Sequence, residues 1–259
     1  MKRILIAALA VLLLSCPLLA DYKEALEKKD YDAALKDIRP LAQKGDPTAQ
    51  YVLGVMYERG YGVSKNYREA AEWYRKSAEQ GNISAQLNLG FLYDNGQGVS
   101  QNDSEAFKWY HKAAEQGNIS AQLNLGYMYD NGQGVPQDDS EAFKWYRKAA
   151  EQGNASAQYN IAVMYAKGQG APQNHTEAIK WSRKAADQGD AGAQVLLGYM
   201  YDNGQGVPEN YVLAYMWWSL SAAQGNQEAV VFRDSLVKIM TPAQIAEAKK
   251  LASEWKRQK

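Results

Sequence analysis

Cysteine is almost absent from this sequence, and the single cysteine, Cys16, lies within the first twenty residues. The remainder of the chain has no thiol for a disulfide or a Cys-based zinc site, so packing alone must hold the fold together. Histidine is also scarce, with only His111 and His175 in the whole chain. No spacing of His, Cys, Asp or Glu predicts a metal site, and neither a metal nor a cofactor is expected.

The sequence also lacks net charge, because 29 basic residues balance 29 acidic ones. Loss of Lys2 and Arg3 with a leader would leave 27 basic against 29 acidic residues. Such a chain has no strong field to recruit nucleic acid or an anionic membrane, so neither is an expected partner. The sequence has no Gly-x-x-x-x-Gly-Lys phosphate loop and no Gly-x-Ser-x-Gly elbow. We therefore predict no catalytic residue and no enzyme activity.

Long apolar runs are confined to the N-terminus, where Lys2 and Arg3 precede an uncharged apolar stretch from Ile4 to Leu14. A small residue, Ala20, follows at a distance suited to cleavage. This pattern predicts an export signal over residues 1–20 and a periplasmic or secreted product.

Two alternatives to a cleaved leader stay open. The first is an uncleaved membrane anchor, because residues 4–20 are just long enough to span a membrane as a helix. The other is a lipoprotein, because Cys16 follows Leu-Leu-Ser in a context that resembles a bacterial lipoprotein box. An acylated Cys16 would be the only membrane attachment of the mature chain. Neither cleavage site has the preferred sequence. For cleavage after Ala20, Leu18 is larger than the small residue that is usual three places before the cut.

Beyond the leader, the sequence is built from a repeat of 36 residues. A glycine returns at this interval at Gly45, Gly81, Gly117, Gly153, Gly189 and Gly225. An Ala-Gln pair follows each of the first five, with glutamines Gln50, Gln86, Gln122, Gln158 and Gln194. The segments 81–116 and 117–152 differ at only five positions. We assign five repeats to residues 45–224.

Each repeat predicts two helices. In the first, from about residue 84 to residue 94, Ala85, Leu89 and Leu92 make one apolar stripe. Gly and Asn residues then end the helix. Asn102, with Glu105 three residues later, resembles a capping box and opens the second helix. Neither helix buries its apolar face alone, so we predict an all-α solenoid of stacked helix pairs, in which Gly90 and its equivalents let helix backbones approach closely.

The ends of the array predict caps. Residues 21–44 read as a shortened helix pair, and residues 225–259 as a degenerate repeat followed by a capping helix. That last helix should begin at Thr241-Pro242 and reach about Lys256, with a charged, solvent-facing side. The capped array is expected to be a monomer.

The repeat, Ala-Gln-x-x-Leu-Gly-x-x-Tyr-x-x-Gly-x-Gly-Val followed by Ala-x-x-Trp-Tyr-x-Lys-Ala-Ala, resembles the Sel-one-like repeat family, a branch of the tetratricopeptide-like helical solenoids. The resemblance covers residues 45–240. It implies right-handed superhelical stacking and a role as an adaptor or scaffold for protein partners. A cysteine-rich subgroup is associated with penicillin binding and weak β-lactam hydrolysis, and this chain departs from that subgroup because its mature part has no cysteine.

A protein or peptide partner is expected on the first helix of each repeat, on the concave side of the stack. The predicted contacts are Asn88, Asn124, Asn160, Phe91, Tyr127 and Tyr199. Side-chain amides would bind the backbone of an extended peptide, and aromatic rings would add rigid contact area. The alternative is that these residues stabilise the stack itself.

Tryptophan recurs in the second helix at Trp73, Trp109, Trp145 and Trp181, and a stripe at helical spacing predicts core residues. The pair Trp217 and Trp218 breaks this pattern by doubling it. We predict that Trp218 is an exposed contact near the C-terminal end.

Overall fold

The computed structural model describes residues 20–257, with side chains from Glu24 to Trp255. This part of the chain forms fourteen helices and no strand, which confirms the all-α fold class. The predicted cleavage and acylation sites at and around Cys16 lie outside the described residues. No described helix is long and apolar enough to cross a membrane.

The helices follow one another with short turns between them. They are α1 (Ala20–Glu27), α2 (Tyr31–Gln43), α3 (Pro47–Arg59), α4 (Tyr67–Glu79), α5 (Ile83–Asn95), α6 (Asp103–Glu115), α7 (Ile119–Asn131), α8 (Asp139–Glu151), α9 (Ala155–Lys167), α10 (His175–Asp187), α11 (Ala191–Asp202), α12 (Tyr211–Ala222), α13 (Gln227–Leu236) and α14 (Pro242–Arg257). Repeats one to five each pair a helix A with a helix B, from α3/α4 to α11/α12.

Every helix B begins at a polar cap, as the sequence predicts. In repeat two, the Asn102 side chain accepts a hydrogen bond from the backbone N–H of Glu105 at 3.0 Å. The capping box is incomplete, however, because the Glu105 carboxylate accepts from Lys108 at 2.5 Å and the Asn102 N–H donates to the Tyr93 carbonyl. The same Glu–Lys pairing three residues apart returns in repeats three and four.

The turn between helices A and B needs two glycines for different reasons. Gly96 ends α5 with φ +64°, a left-handed conformation that glycine adopts without strain. Gly98 also has positive φ, and a Cβ on it would lie 2.2 Å from the Tyr67 backbone carbon at the start of α4. The second glycine therefore lets the turn of one repeat lie directly on helix B of the preceding repeat.

Helix A packs on helix B through a glycine that faces an aromatic ring. A Cβ on Gly126 would lie 2.4 Å from Cδ1 of Tyr146, and Gly54 and Gly90 face Tyr74 and Tyr110 in the same way. The prediction that these glycines bring helix backbones together is corrected in one respect, because the space above each glycine is filled by a ring of helix B.

The described part of the chain divides into two compact units, with the boundary between Ala121 and Gln122. In the first, a core of Ala25, Ala34, Ile38 and Leu53 joins α1 and α2 to repeat one. In the second, the core extends from α10 to α14. There α14 packs on α12, with the rings of Trp217 and Trp255 5.9 Å apart.

Candidate partner-binding face

Three aromatic side chains occupy the same position of helix A and are exposed. Phe91 of the first unit is 48% exposed, and Tyr127 and Tyr199 of the second unit are 55% and 44% exposed. Each ring lies beside buried neighbours in the sequence, as Leu125 and Met128 flank Tyr127. The helical stripe that faces the core thus leaves this position on the surface, as the sequence predicts. We call Phe91, Tyr127 and Tyr199 the aromatic row.

The asparagines beside the aromatic row are half-buried. In the first unit, Asn88 is within hydrogen-bonding reach of two hydroxyls, those of Tyr51 and Tyr74. Burial, and then the nearby Glu58 carboxylate, raises the pKa of both tyrosines, and the hydrogen bond to Asn88 opposes that rise. Asn88 therefore helps to satisfy buried polar groups between repeats, which favours the structural interpretation at this position. Asn124 and Asn160 occupy the equivalent places in the second unit.

Trp218 is a core residue, and the prediction that it is an exposed contact is wrong. Its side chain is 2% exposed, and its ring lies above Gly198 and 5.2 Å from the ring of Phe232. The indole Nε1–H donates to the Val195 carbonyl at 3.1 Å. Trp218 occupies the position that tyrosine holds in repeats one to three, so its ring fills the space above the glycine of helix A.

Trp109, Trp145 and Trp181 are core residues, as predicted, and are 6–8% exposed, whereas Trp73 of repeat one is half-buried. A lysine three residues later covers each ring from outside, with Lys148 Nζ 3.7 Å from the centroid of Trp145. The other pairs are Trp73/Lys76, Trp109/Lys112 and Trp181/Lys184, at 4.1–4.2 Å. This cation–π contact holds the outer edge of helix B in four repeats.

A tyrosine–carboxylate bond ties helix A to helix B in the first three repeats. Tyr74 donates to Glu58 at 2.6 Å, and Tyr110 donates to Asp94 at 3.4 Å. Burial, and then the Asp130 carboxylate, raises the pKa of Tyr146 well above its usual range, because both disfavour the phenolate.

Repeat four changes this arrangement at three positions together. Alanine stands at 162 and 166 in place of the glycine and the carboxylate, and Ser182 replaces the tyrosine. Ala162 and Ser182 are both fully buried. A smaller residue on helix B thus accompanies a larger one on helix A. Comparison of the repeats with one another reveals this signal, which the sequence analysis missed.

The glutamine of the Ala-Gln pair links successive repeats. Gln158 is 4% exposed, donates to the Ala150 carbonyl of the preceding helix B at 3.1 Å, and accepts from Gln188 at 2.8 Å. Equivalent bonds between glutamines thirty residues apart recur in all five repeats. Each glutamine–glutamine bond lies within one repeat, whereas the bond to the preceding helix B, which Gln86, Gln158 and Gln194 also donate, joins two repeats. We call the two kinds of bond together the glutamine ladder. Its signal is visible in the sequence, where both glutamines recur at the 36-residue interval.

The described residues offer little that suits catalysis. No three His, Cys, Asp or Glu side chains among them converge on a metal-sized site. The Ser235 hydroxyl, first in a Ser-x-x-Lys sequence, donates to the Phe232 carbonyl at 2.6 Å, an ordinary helical contact. His111 and Glu115 form an exposed pair at 3.5 Å.

Comparison with known proteins identifies the repeat. A model of the Sel1 repeat matches residues 47–82, 83–118, 119–154, 155–190 and 191–226. Each match begins two residues after the start of the corresponding repeat assigned from the sequence. No curated protein matches.

Two solved structures are similar over most of the chain. One is a protective antigen of uropathogenic Escherichia coli with an SLR fold, 34% identical with a TM-score of 0.80, which covers 96% of this chain and 56% of the antigen. This chain thus spans little more than half the length of that relative. The other is a Sel1 repeat protein from Oxalobacter formigenes, 34% identical with a TM-score of 0.79, which covers 90% of this chain and 98% of that protein.

Sel1 repeat proteins generally act as protein-interaction scaffolds and are generally not enzymes. The five matched repeats, the stacked helix pairs and the similarity to two solved relatives agree with one another, and they show that this chain belongs to the Sel1 repeat family.

Proposed function

We propose that this protein is exported and binds a protein or peptide partner on the surface formed by helices A. The observation that carries the proposal is the aromatic row. Isolated exposed apolar side chains are common on monomeric proteins, but three large rings at one repeat position are not an isolated case. Tyrosine and phenylalanine are rigid, so little side-chain entropy is lost when they are covered.

The second unit offers two of these rings on helices of the same stack. Tyr127 lies on α7 and Tyr199 on α11, with α9 between them in sequence and in contact with α11. The intervening helix has Val163 at this position, and its Asn160 follows Asn124 in the neighbouring row. Apolar contact area beside half-buried amides suits an extended peptide, whose backbone needs donors and acceptors and whose side chains need apolar contacts.

The partner-binding face is tested with peptides selected from a displayed random library against the purified protein. We expect Tyr127→Ala with Tyr199→Ala to weaken the selected peptides about tenfold or more, as truncation of an aromatic hot spot does. The matched control is Lys144→Ala with Lys180→Ala, which removes two exposed residues of helices B. Fluorescence anisotropy with unchanged circular dichroism spectra gives the measurement. Equal losses in both double variants, or none in the first, would contradict the proposal.

Export rests on the N-terminal pattern and is tested separately. Mass spectrometry of the protein recovered from the cell envelope and from the medium should show a chain that begins at Asp21. A chain that begins at a lipid-modified Cys16 would instead assign the protein to a membrane surface, and an uncleaved chain would contradict export by a removable leader.

A further inference from the structure

The helix A of the degenerate repeat, α13, has apolar side chains that no following repeat covers. Val231 on α13 is 66% exposed, and Ile239 in the turn after α13 is 62% exposed. Beyond this turn the chain enters α14, which packs on α12. The face of α13 on which a further repeat would stack is therefore open to solvent.

The residues equivalent to Val231 in the earlier repeats reach the next helix A. The Tyr51 hydroxyl lies within hydrogen-bonding reach of Ser84 and Asn88 on α5. In the second unit α9 contacts α11, and a Cβ on Gly192 of α11 would lie 3.0 Å from Cζ of the Tyr159 ring. This repeat position thus serves the contact with the neighbouring repeat. It is half-buried in repeats one to five, at Tyr51, Leu87, Leu123, Tyr159 and Val195.

Helical periodicity aligns Val231 with polar residues in one stripe. Glu228, Val231, Ser235 and Lys238 are spaced three, four and three residues apart, the spacing found at the seam of two paired helices. The N–H groups of Lys238 and Ile239 donate to carbonyls three residues earlier, at 3.2 and 3.0 Å, so the winding continues past the end of α13. All five side chains are exposed. We call them the open stripe.

The charges of the open stripe complement those of the same stripe in reverse direction. Glu228 lies at one end and Lys238 at the other, so an antiparallel copy would set each carboxylate beside an ammonium. In the part of the chain that the structure describes, neither side chain has an ion-pair partner, whereas Arg233 and Asp234 of the same helix pair with each other at 2.7 Å. Both charges are therefore available to a second molecule.

The N-terminal end of the array offers no apolar surface to match the open stripe. There α1 packs on α2. Among the side chains described on these two helices, no large apolar one is exposed. A head-to-tail contact between copies would leave Val231 and Ile239 against that surface, whereas a contact between two open stripes covers the apolar side chains of both copies.

We propose that the open stripe pairs with the open stripe of a second copy, antiparallel about a two-fold axis near the middle of α13. Glu228 of each copy binds Lys238 of the other, and Val231 packs against the short Ser235. The dimer is weak, because one helix face buries less than about 1,200 Å² in total, the low end for protein interfaces. The monomer expected from the sequence is then the form in dilute solution. The aromatic row lies outside this contact, so the dimer does not depend on the proposed peptide-binding face.

The dimer is tested by sedimentation velocity of the full chain, purified after export, from about 1 µM to about 1 mM. The mean sedimentation coefficient should rise to that of a dimer, with a Kd of about 100 µM. Val231→Glu should weaken association at least tenfold, about the effect of two like charges across the axis. Its circular dichroism spectrum should not change, because Val231 is exposed.

Tyr127→Glu is the matched control, since it places the same charge at a 55% exposed side chain of the same unit. It should leave the dimer unchanged. A monomer at every concentration, or equal weakening by Val231→Glu and Tyr127→Glu, would overturn the proposal.

Charge exchange tests the antiparallel orientation. Glu228→Lys and Lys238→Glu should each weaken self-association about fivefold, because each variant carries one sign of charge at both ends of the stripe. The double variant should recover association to within about twofold of the parent protein, since it restores both pairs with their charges reversed. An equal mixture of the two single variants should also associate. A double variant as weak as the single ones, or a mixture that stays monomeric, would contradict the antiparallel pairing.

Discussion

The contacts of a side chain at a given repeat position depend on which residue occupies the partner position in the same repeat. The carboxylate near the end of helix A accepts a hydrogen bond from a tyrosine in repeats one and two. In repeat five the carboxylate remains as Asp202, but Trp218 stands in place of the tyrosine and donates to a carbonyl instead. Burial, and then the nearby Glu209, raises the pKa of Asp202. Its charge also lies at the C-terminus of α11, where the helix dipole disfavours an anion.

These conditions predict that Asp202→Asn stabilises the protein at neutral pH. A carboxylate whose pKa is higher in the folded than in the unfolded state favours folding when protonated, and it loses that contribution as the pH rises through its folded pKa. We expect the melting temperature to rise about 1–2 °C at pH 7, since Asp202 is partly screened by solvent. The gain should vanish near pH 3, where the native carboxyl is already protonated.

Thermal melts followed by circular dichroism at several pH values test this, with Asp94→Asn as the control. Asp94 accepts from the Tyr110 hydroxyl, so its replacement should bring no gain. A lower melting temperature for Asp202→Asn at pH 7 would contradict the explanation.

At the scale of helices, the pairing of helix A with helix B depends on complementary volumes. Gly126 leaves room for Tyr146, and repeat four has Ala162 with the smaller Ser182. The three changes in repeat four therefore form an alternative packing of helix A against helix B. Interiors packed to crystal density tolerate an added methyl group only where another group withdraws.

A double-mutant cycle tests this complementarity. Gly126→Ala should cost about 1–3 kcal/mol by overpacking, and Tyr146→Ser about 3–5 kcal/mol by leaving a cavity. Together they should cost about 1–2 kcal/mol less than the sum, because the serine removes the ring that the new methyl group meets.

Urea unfolding of the four proteins gives the coupling free energy. Gly126→Ala combined with Ile179→Val, which lies in the helix B of the next repeat, should be additive within about 0.5 kcal/mol. Additivity of the Gly126–Tyr146 pair would contradict the proposed complementarity.

At the scale of the whole molecule, the glutamine ladder connects neighbouring repeats within each unit. Gln158 joins α8 to α9 and receives a bond from the end of α10. Stability in a repeat protein is the sum of the repeats and of the interfaces between neighbours, so a buried bond at each interface contributes to cooperativity along the stack.

Gln158→Ala should therefore loosen one interface in the second unit. We expect a loss of about 2 kcal/mol, because a buried carbonyl and a glutamine amide lose their partner. Hydrogen exchange measured by mass spectrometry should increase in α8, α9 and α10 and stay unchanged in α2 and α3, in the other unit.

The matched control is Gln137→Ala, which truncates an exposed glutamine in the turn before α8. An equal increase in exchange for both variants, or a uniform increase over the whole chain, would show that the ladder does not link neighbouring repeats.

The sequence by itself determined the repeat and most of its local structure. The 36-residue interval, the caps such as Asn102 and the glycine turns fix where helices begin and end, because these signals act within a few residues. The exposure of Phe91, Tyr127 and Tyr199 followed from helical periodicity, since a known period places every side chain relative to the apolar stripe. The family followed from the same repeat.

Tertiary structure alone decided which side chains meet across helices. The local sequence around Trp218 does not distinguish a buried ring from an exposed one. Only the packing of α12 on α11 shows that the ring lies above Gly198. The packing of α14 on α12 was equally hidden, because α14 leaves the repeat pattern and its contacts are not repeated elsewhere in the chain. Periodicity describes one helix at a time, whereas contacts between distant segments depend on volumes and hydrogen bonds that no local pattern contains.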